Sequence, residues 1–144
     1  VIYLLRHGKA EEGDGDDAAR RLTAKGEHQA RAAGAALVAL GAEIDACLTS
    51  PKVRAAETAR LAAEPLGLEP ESTGELAGGP FDSLALSAGR GNVLLVGHEP
   101  DFSAEVGRLT GANVKVGKGG LAIVDGSKLL ALLRAKDLAA VAGD

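Results

Sequence analysis

The sequence predicts an α/β fold: a single-domain, three-layer sandwich with a mostly parallel central sheet and helices on both faces. Three observations predict it. Short apolar runs, VIYLL at 1–5, ACLT at 46–49 and NVLLV at 92–96, alternate with stretches of helical spacing. Continuous apolar runs mark strands covered on both faces. No repeat or linker divides the 144 residues, so 1–144 is expected to be one domain.

The elements follow in order. The run 1–5 is a strand ending in Arg6-His7-Gly8. The acidic, glycine-containing loop 11–17 (EEGDGDD) follows it. Residues 23–40 read as a helix, with Ala30, Ala33, Leu37 and Leu40 at helical spacing and Gly41 as its cap. The run 46–49 is a strand. Ser50-Pro51 then opens a helix to about residue 66, with Ser50 as N-cap and Pro51 at the first helical position. Residues 69–79 read as irregular, with a short strand near 72–76. A short helix is expected at 81–87, a buried strand at 92–96 ending in Gly97-His98, and a helix from 101 to 109. Two late strands, 121–124 and 128–134, join at an Asp125-Gly126 turn and introduce an antiparallel element. A short helix closes the chain.

Composition excludes several classes. Apolar residues make up 46%, charged residues 25% and aromatic residues 2%, so the core must be built from Leu, Val, Ile and Ala. A net charge of −4 with three aromatic residues argues against nucleic acid as a partner. No apolar run approaches the roughly 20 residues of a membrane helix, and no signal peptide opens the chain. A cytoplasmic protein is expected. Cys47, the single cysteine, sits in an apolar run and reads as a small buried hydrophobe.

Three predicted strands end in polar residues of one kind: Arg6-His7, Ser50-Pro51 with Arg54 one turn later, and His98. Ligand crevices in open α/β sheets lie beyond the carboxyl ends of the strands. Two arginines and two histidines converging there make an anion site on an acidic protein. The arginine fork suits a phosphate oxyanion. A histidine beside two guanidinium groups stays neutral more readily and keeps a lone pair for attack on phosphorus. The second histidine, if protonated, donates to a phosphoryl oxygen.

Four motifs carry a family resemblance. Leu5-Arg6-His7-Gly8 resembles the RHG signature of the histidine phosphatase superfamily, the phosphoglycerate-mutase-like fold. Leu22-Thr23-x-x-Gly26-x-x-Gln29-Ala30 resembles its first-helix motif, and Ser50-Pro51-x-x-Arg54-Ala55-x-Glu57-Thr58-Ala59 its second arginine motif. Val96-Gly97-His98-Glu99-Pro100 resembles its second-histidine motif. The short length and the HEP continuation are similar to the SixA-type phosphohistidine phosphatases. The resemblance implies a metal-independent phosphatase in which His7 is the nucleophile and is transiently phosphorylated. It implies that Arg6, Arg54 and His98 bind the phosphoryl group, with no cofactor. Glu57 and Ser50 are expected to stand behind the pocket, Glu57 holding the loop that carries it. In many relatives a glutamate from the middle segment is the general acid, and Glu75 is the nearest match here. The implied substrate is a phosphorylated protein histidine, on a phosphorelay or phosphotransfer protein of a signalling system. The alternatives are a small phosphate ester, phosphoserine or phosphotyrosine, and, from another class, a phosphate- or phosphoprotein-binding module without turnover.

Other features read more plainly. The loop 11–17, with five carboxylates, reads first as solvated and mobile and second as a gate or partner contact; Asp14, Asp16 and Asp17 lack calcium-loop spacing. Gly111 to Gly119 lacks Walker A spacing, and Lys118 reads first as a turn lysine and second as a crevice residue. His28 reads as solvated. The three histidines have no acidic partners at ligand spacing, so no metal site is expected.

Overall fold

Parallel pairing brings the carboxyl ends of the apolar strands to one edge of the sheet. The structure, a computed structural model, describes residues 1–13 and 15–143. Its strands are β1 (Ile2–Arg6), β2 (Ala46–Thr49), β3 (Pro70–Ser72), β4 (Val93–Gly97), β5 (Leu121–Asp125) and β6 (Lys128–Leu133). Its α-helices are α1 (Ala24–Ala39), α2 (Val53–Ala63), α3 (Ser83–Ser87), α4 (Asp101–Thr110) and α5 (Ala135–Ala142). The sheet order is β3-β2-β4-β1-β5-β6. The first four strands run parallel; β5 pairs antiparallel with β1, and β6 antiparallel with β5. The expected sandwich, with its antiparallel end, is the one observed.

Period-two alternation splits each buried strand between two layers. Tyr3, Leu5, Cys47, Leu94, Val96 and Leu121 face α1, α2 and α5, whose contributions are chiefly alanines with Leu37 and Leu138. Ile2, Leu4, Leu48, Val93, Leu95 and Ala122 face Phe102 and Val106 of α4. Small side chains let α1 and α2 lie close to the sheet; the bulk of Phe102 fills the other face. Cys47 is buried, and burial pushes its thiol up to about 12, as expected of a structural cysteine. No helix among the described residues is long and apolar enough to cross a membrane.

Two expectations are corrected. Ser50 is not an N-cap: α2 begins at Val53, after a bend at Pro51-Lys52, and its N-cap Lys52 makes no side-chain capping bond. The Ser50 hydroxyl accepts from the Lys52 N–H at 3.2 Å and is drawn to a distant histidine instead. The middle strand lies earlier than expected, at Pro70–Ser72, because Thr73 caps a 3-10 turn over Gly74–Leu76.

Candidate active site

The register sets the site. Leu5 and Thr49 both pair with Val96, so β1, β4 and β2 leave the sheet side by side. The ladder continues one step, His7 N–H to Gly97 O at 3.0 Å and Ser50 N–H to Val96 O at 3.0 Å. His7, His98 and Ser50 therefore emerge together. The two imidazole rings are 5.2 Å apart at an angle of 57°.

Glycine fixes the chain after His7. A Cβ on Gly8 would lie 2.6 Å from Gly26 O, and one on Gly26 would lie 2.0 Å from Lys9 O. Only two glycines allow the β1 exit to rest on the first turn of α1. Thr23 caps that turn by accepting from the Gly26 N–H at 3.1 Å. From α2, Thr58 Oγ1 accepts the Gly8 N–H at 3.1 Å and donates to Arg54 O at 2.7 Å. One threonine thus ties the loop after His7 to the turn of α2 that carries Arg54.

The four predicted residues line one crevice of about 300 Å³. His7, Arg54 and His98 are buried, at 7%, 5% and 6% exposure. His7 Nδ1 lies 2.7 Å from Gly8 O, so Nδ1 carries the proton and the lone pair sits on Nε2. Burial, reinforced by the cations Arg54, Arg6 and Arg20 and resisted by the Gly8 bond, lowers His7 from 6.5 to about 4. Burial, then the neighbouring His7, Arg54 and Lys52, lowers His98 to about 3. Both rings are neutral at pH 7.

The Ser50 hydroxyl accepts from the Lys52 N–H at 3.2 Å and lies 2.8 Å from His98 Nε2, where the tautomer of the ring sets which group donates. His98 Nδ1 is buried and has no hydrogen-bond partner among the described residues. The Nε atoms of Arg6 and Arg54 are likewise buried and unpartnered. Arg6 spends Nη1 on Val116 O at 3.1 Å. Arg54 spends its two Nη groups on Asp17, 2.9 Å to the main-chain oxygen and 3.2 Å to Oδ2. Three buried, unpartnered nitrogens thus belong to residues that line one crevice.

Other residues complete the wall. Arg20, Lys52 and Lys118 line it, so Lys118 takes the second of its two readings. Arg20 and Lys52 were not singled out from the sequence; the available signals were a basic pair before the α1 cap and a lysine just beyond a strand end. Asp17 is tied to Arg20 at 3.0 Å, Arg54 at 3.2 Å and Lys52 at 3.8 Å. The Arg54 cation foremost lowers its carboxyl. The acidic loop is thus anchored at its Asp17 end rather than solvated throughout; Asp14 lies outside the described residues. Glu57 Oε1 accepts the buried Leu22 N–H at 3.2 Å and so holds the return of that loop. Glu75 is exposed in the 3-10 turn and is not brought to the crevice; Ala77 and Gly78 form that wall. The carboxylates on the wall are Glu99 and Asp101. His28 is exposed, as expected. Among the described residues, no group of three His, Cys, Asp or Glu side chains is placed to hold a metal ion.

Known proteins share this fold. Residues 2–88 match the histidine phosphatase superfamily (branch 1). An uncharacterized protein of Picosynechococcus sp. is 37% identical over 113 residues, covering 70% of this chain and 67% of that protein. The protein histidine phosphatase SixA, solved with tungstate, superposes with a TM-score of 0.82 at 24% identity, over 95% of this chain and 98% of SixA. The phosphoserine phosphatase of Entamoeba histolytica, solved with 3-phosphoglyceric acid, gives 0.69 at 16% identity, over 95% and 98%. The alpha-ribazole phosphatase of Shigella flexneri gives 0.69 at 19% identity, over 92% and 95%. The match over residues 2–88 makes this chain, whose crevice is lined by Arg6, His7, Arg54 and His98, a member of the histidine phosphatase superfamily.

Proposed function

We propose that this chain is a metal-independent phosphohistidine phosphatase, a single catalytic domain over residues 1–144. The observation that carries the reading is the pairing of groups around the crevice. His7 Nδ1 faces Gly8 O, which leaves the lone pair on Nε2, while Arg6, Arg54 and His98, which line the same crevice, each keep a buried nitrogen without a partner among the described residues.

The chemistry has two steps. His7 Nε2 attacks phosphorus, and the bond from phosphorus to the substrate nitrogen breaks. Arg6, Arg54 and His98 Nδ1–H hold the phosphoryl oxygens as charge shifts between them. The departing imidazole takes a proton from solvent. Water then attacks the phosphohistidine, the Nε2–P bond breaks, and inorganic phosphate leaves.

The substrate class rests on the leaving group. Alkoxide departure needs a positioned general acid. Glu75 is away from the crevice. Glu99 is engaged on both oxygens by Ser103 and Val116, and Asp101 Oδ2 accepts the Gly79 N–H at 3.1 Å. An imidazole leaves with less help than an alkoxide, which favours phosphohistidine on a phosphorelay or phosphotransfer protein.

The test is phosphate release from a phosphohistidine-bearing protein, an aryl phosphate and an alkyl phosphate, each with and without a chelator. The expected result is turnover of the first two, slow or absent turnover of the third, and no effect of the chelator. Equal rates on alkyl phosphate would overturn the substrate class in favour of small esters. Saturable phosphate binding with no release from any donor would overturn catalysis in favour of a binding module.

A further inference from the structure

A carboxylate on the wall of an oxyanion crevice needs a reason, because its charge opposes the ligand. Glu99 follows His98 directly and lines the crevice beside Arg6, whose charge it stabilises. Its oxygens are already engaged. Oε1 accepts the Ser103 N–H at 2.7 Å. Oε2 accepts the Ser103 hydroxyl and also the Val116 N–H, the latter at 3.3 Å. The Ser103 hydroxyl oxygen in turn accepts the same Val116 N–H at 3.1 Å.

Val116 is the other end of the relationship. It lies in residues 112–117, which form no helix or strand. Its side chain is fully buried in the cluster around Phe102 and Val106. Its N–H is held by Glu99 and Ser103, and its carbonyl accepts Arg6 Nη1 at 3.1 Å. Beyond it the segment is fastened to β1: Gly119 N–H to His7 O at 2.9 Å, and Arg6 N–H to Gly120 O at 2.9 Å. Those two bonds hold the backbone of the catalytic strand end. The guanidinium of Arg6 is held by Val116 O, and that bond occupies Nη1 while Nε is left buried and unpartnered.

We propose that Glu99, together with Ser103, is a positioning residue: it fixes the main chain of Val116, and through the Val116 carbonyl it sets the angle at which Arg6 presents its guanidinium to the phosphoryl group. The proposal deepens the phosphatase reading and rests on it. A guanidinium fork is useful only when its plane is fixed, since two donors must meet two oxygens at once. An irregular segment cannot fix that plane by itself. Glu99 supplies the constraint from the turn between β4 and α4, and its donors keep both of its oxygens occupied.

The proposal reverses the sign that simple charge arithmetic gives. Deleting a negative charge from an anion crevice should tighten phosphate binding. If Glu99 positions Arg6, deleting it weakens binding.

The experiment is calorimetric titration of inorganic phosphate into wild type, Glu99→Ala, Ser103→Ala and Ser103→Thr, with thermal unfolding as the fold check. Phosphate affinity is expected to fall about tenfold in Glu99→Ala, on the scale of one hydrogen bond to a charged group. It is expected to fall by a smaller factor in Ser103→Ala, where every charge is retained. Ser103→Thr keeps the hydroxyl and should stay near wild type. A folded Glu99→Ala protein that binds phosphate as tightly as wild type, or more tightly, would overturn the proposal. If Glu99→Ala does not fold, Ser103→Ala decides: unchanged affinity there overturns it. Wild type that binds phosphate but releases none from an aryl phosphate would overturn the catalytic reading and leave the positioning role judged by the same titrations. Wild type that binds no phosphate would overturn both.

Discussion

The hydroxyl of Ser50 lies 2.8 Å from Nε2 of His98, across 48 residues of sequence. The contact bears on the role proposed for His98. In the proposed reaction Ser50 accepts from Lys52 and donates to Nε2, so the neutral ring keeps its proton on Nδ1 for the oxyanion. This suits a ring whose buried, cation-rich surroundings lower it to about 3.

Replacing Ser50 by alanine removes that control. The expected outcome for Ser50→Ala is a fall in kcat of roughly ten- to hundredfold, the scale of one hydrogen bond lost from the transition state. Ser50→Thr should recover much of the rate, because it restores the hydroxyl. Steady-state kinetics on an aryl phosphate, beside a thermal melt, checks both.

The pH profile should lack the ordinary histidine titration. His7 is lowered from 6.5 to about 4. kcat/KM, which reports the free enzyme, should be flat from pH 8 to about 5 and fall near pH 4 as Nε2 takes a proton. Stability follows the same group. Between pH 6.5 and about 4 the unfolded chain binds a proton at this histidine that the folded protein refuses. Folding is therefore increasingly disfavoured as the pH drops through that window. His7→Gln should flatten part of the acid slope in a stability-against-pH series.

Gly26→Ala should destabilise and inactivate together. The added methyl would meet Lys9 O at 2.0 Å, which is main chain and has nowhere to go. Overpacking of this kind costs about 1–3 kcal/mol, or roughly 4–12 °C in Tm. Because the displaced backbone follows His7 and Gly8 directly, residual activity should fall further than stability alone explains. Gly41→Ala, at a site with open space but positive φ, is the control: it should cost stability and leave kcat unchanged.

Glu57 holds the return of the acidic loop through the Leu22 N–H. Glu57→Ala leaves that buried N–H unpaired, at about 1–3 kcal/mol. The expected signs are faster amide exchange at Leu22 and a raised KM, since Arg20 and Asp17 ride on the same loop. Glu57→Gln retains a carbonyl acceptor and should restore most of the protection.

The strand ends were readable because buried parallel strands announce themselves as unbroken apolar runs, and residues just past them share an edge. That is why Arg6, His7, Arg54 and His98 could be placed together from spacing and motif. Ser50 was misread for a physical reason. Ser-Pro before a helical pattern satisfies the local rule for a helix start, but the hydroxyl also meets a histidine just past the end of β4. Glu75 was harder to place: it is exposed in a 3-10 turn capped by Thr73 and does not line the crevice, and glycine-rich sequence carries no period that reveals such a turn. Arg20, Lys52 and the Glu99–Val116 link depend on loops, whose paths are fixed by hydrogen bonds far apart in sequence.

The most direct test of the central claim is to trap the phosphoryl group. The protein is mixed with a phosphohistidine-bearing protein or an aryl phosphate, quenched in alkali and mapped by mass spectrometry, with His7→Ala alongside. The expected result is an acid-labile, alkali-stable phosphoryl adduct on His7 that forms and decays as phosphate is released, and none in His7→Ala. Phosphate release with no adduct on His7, or undiminished release by His7→Ala, would contradict it.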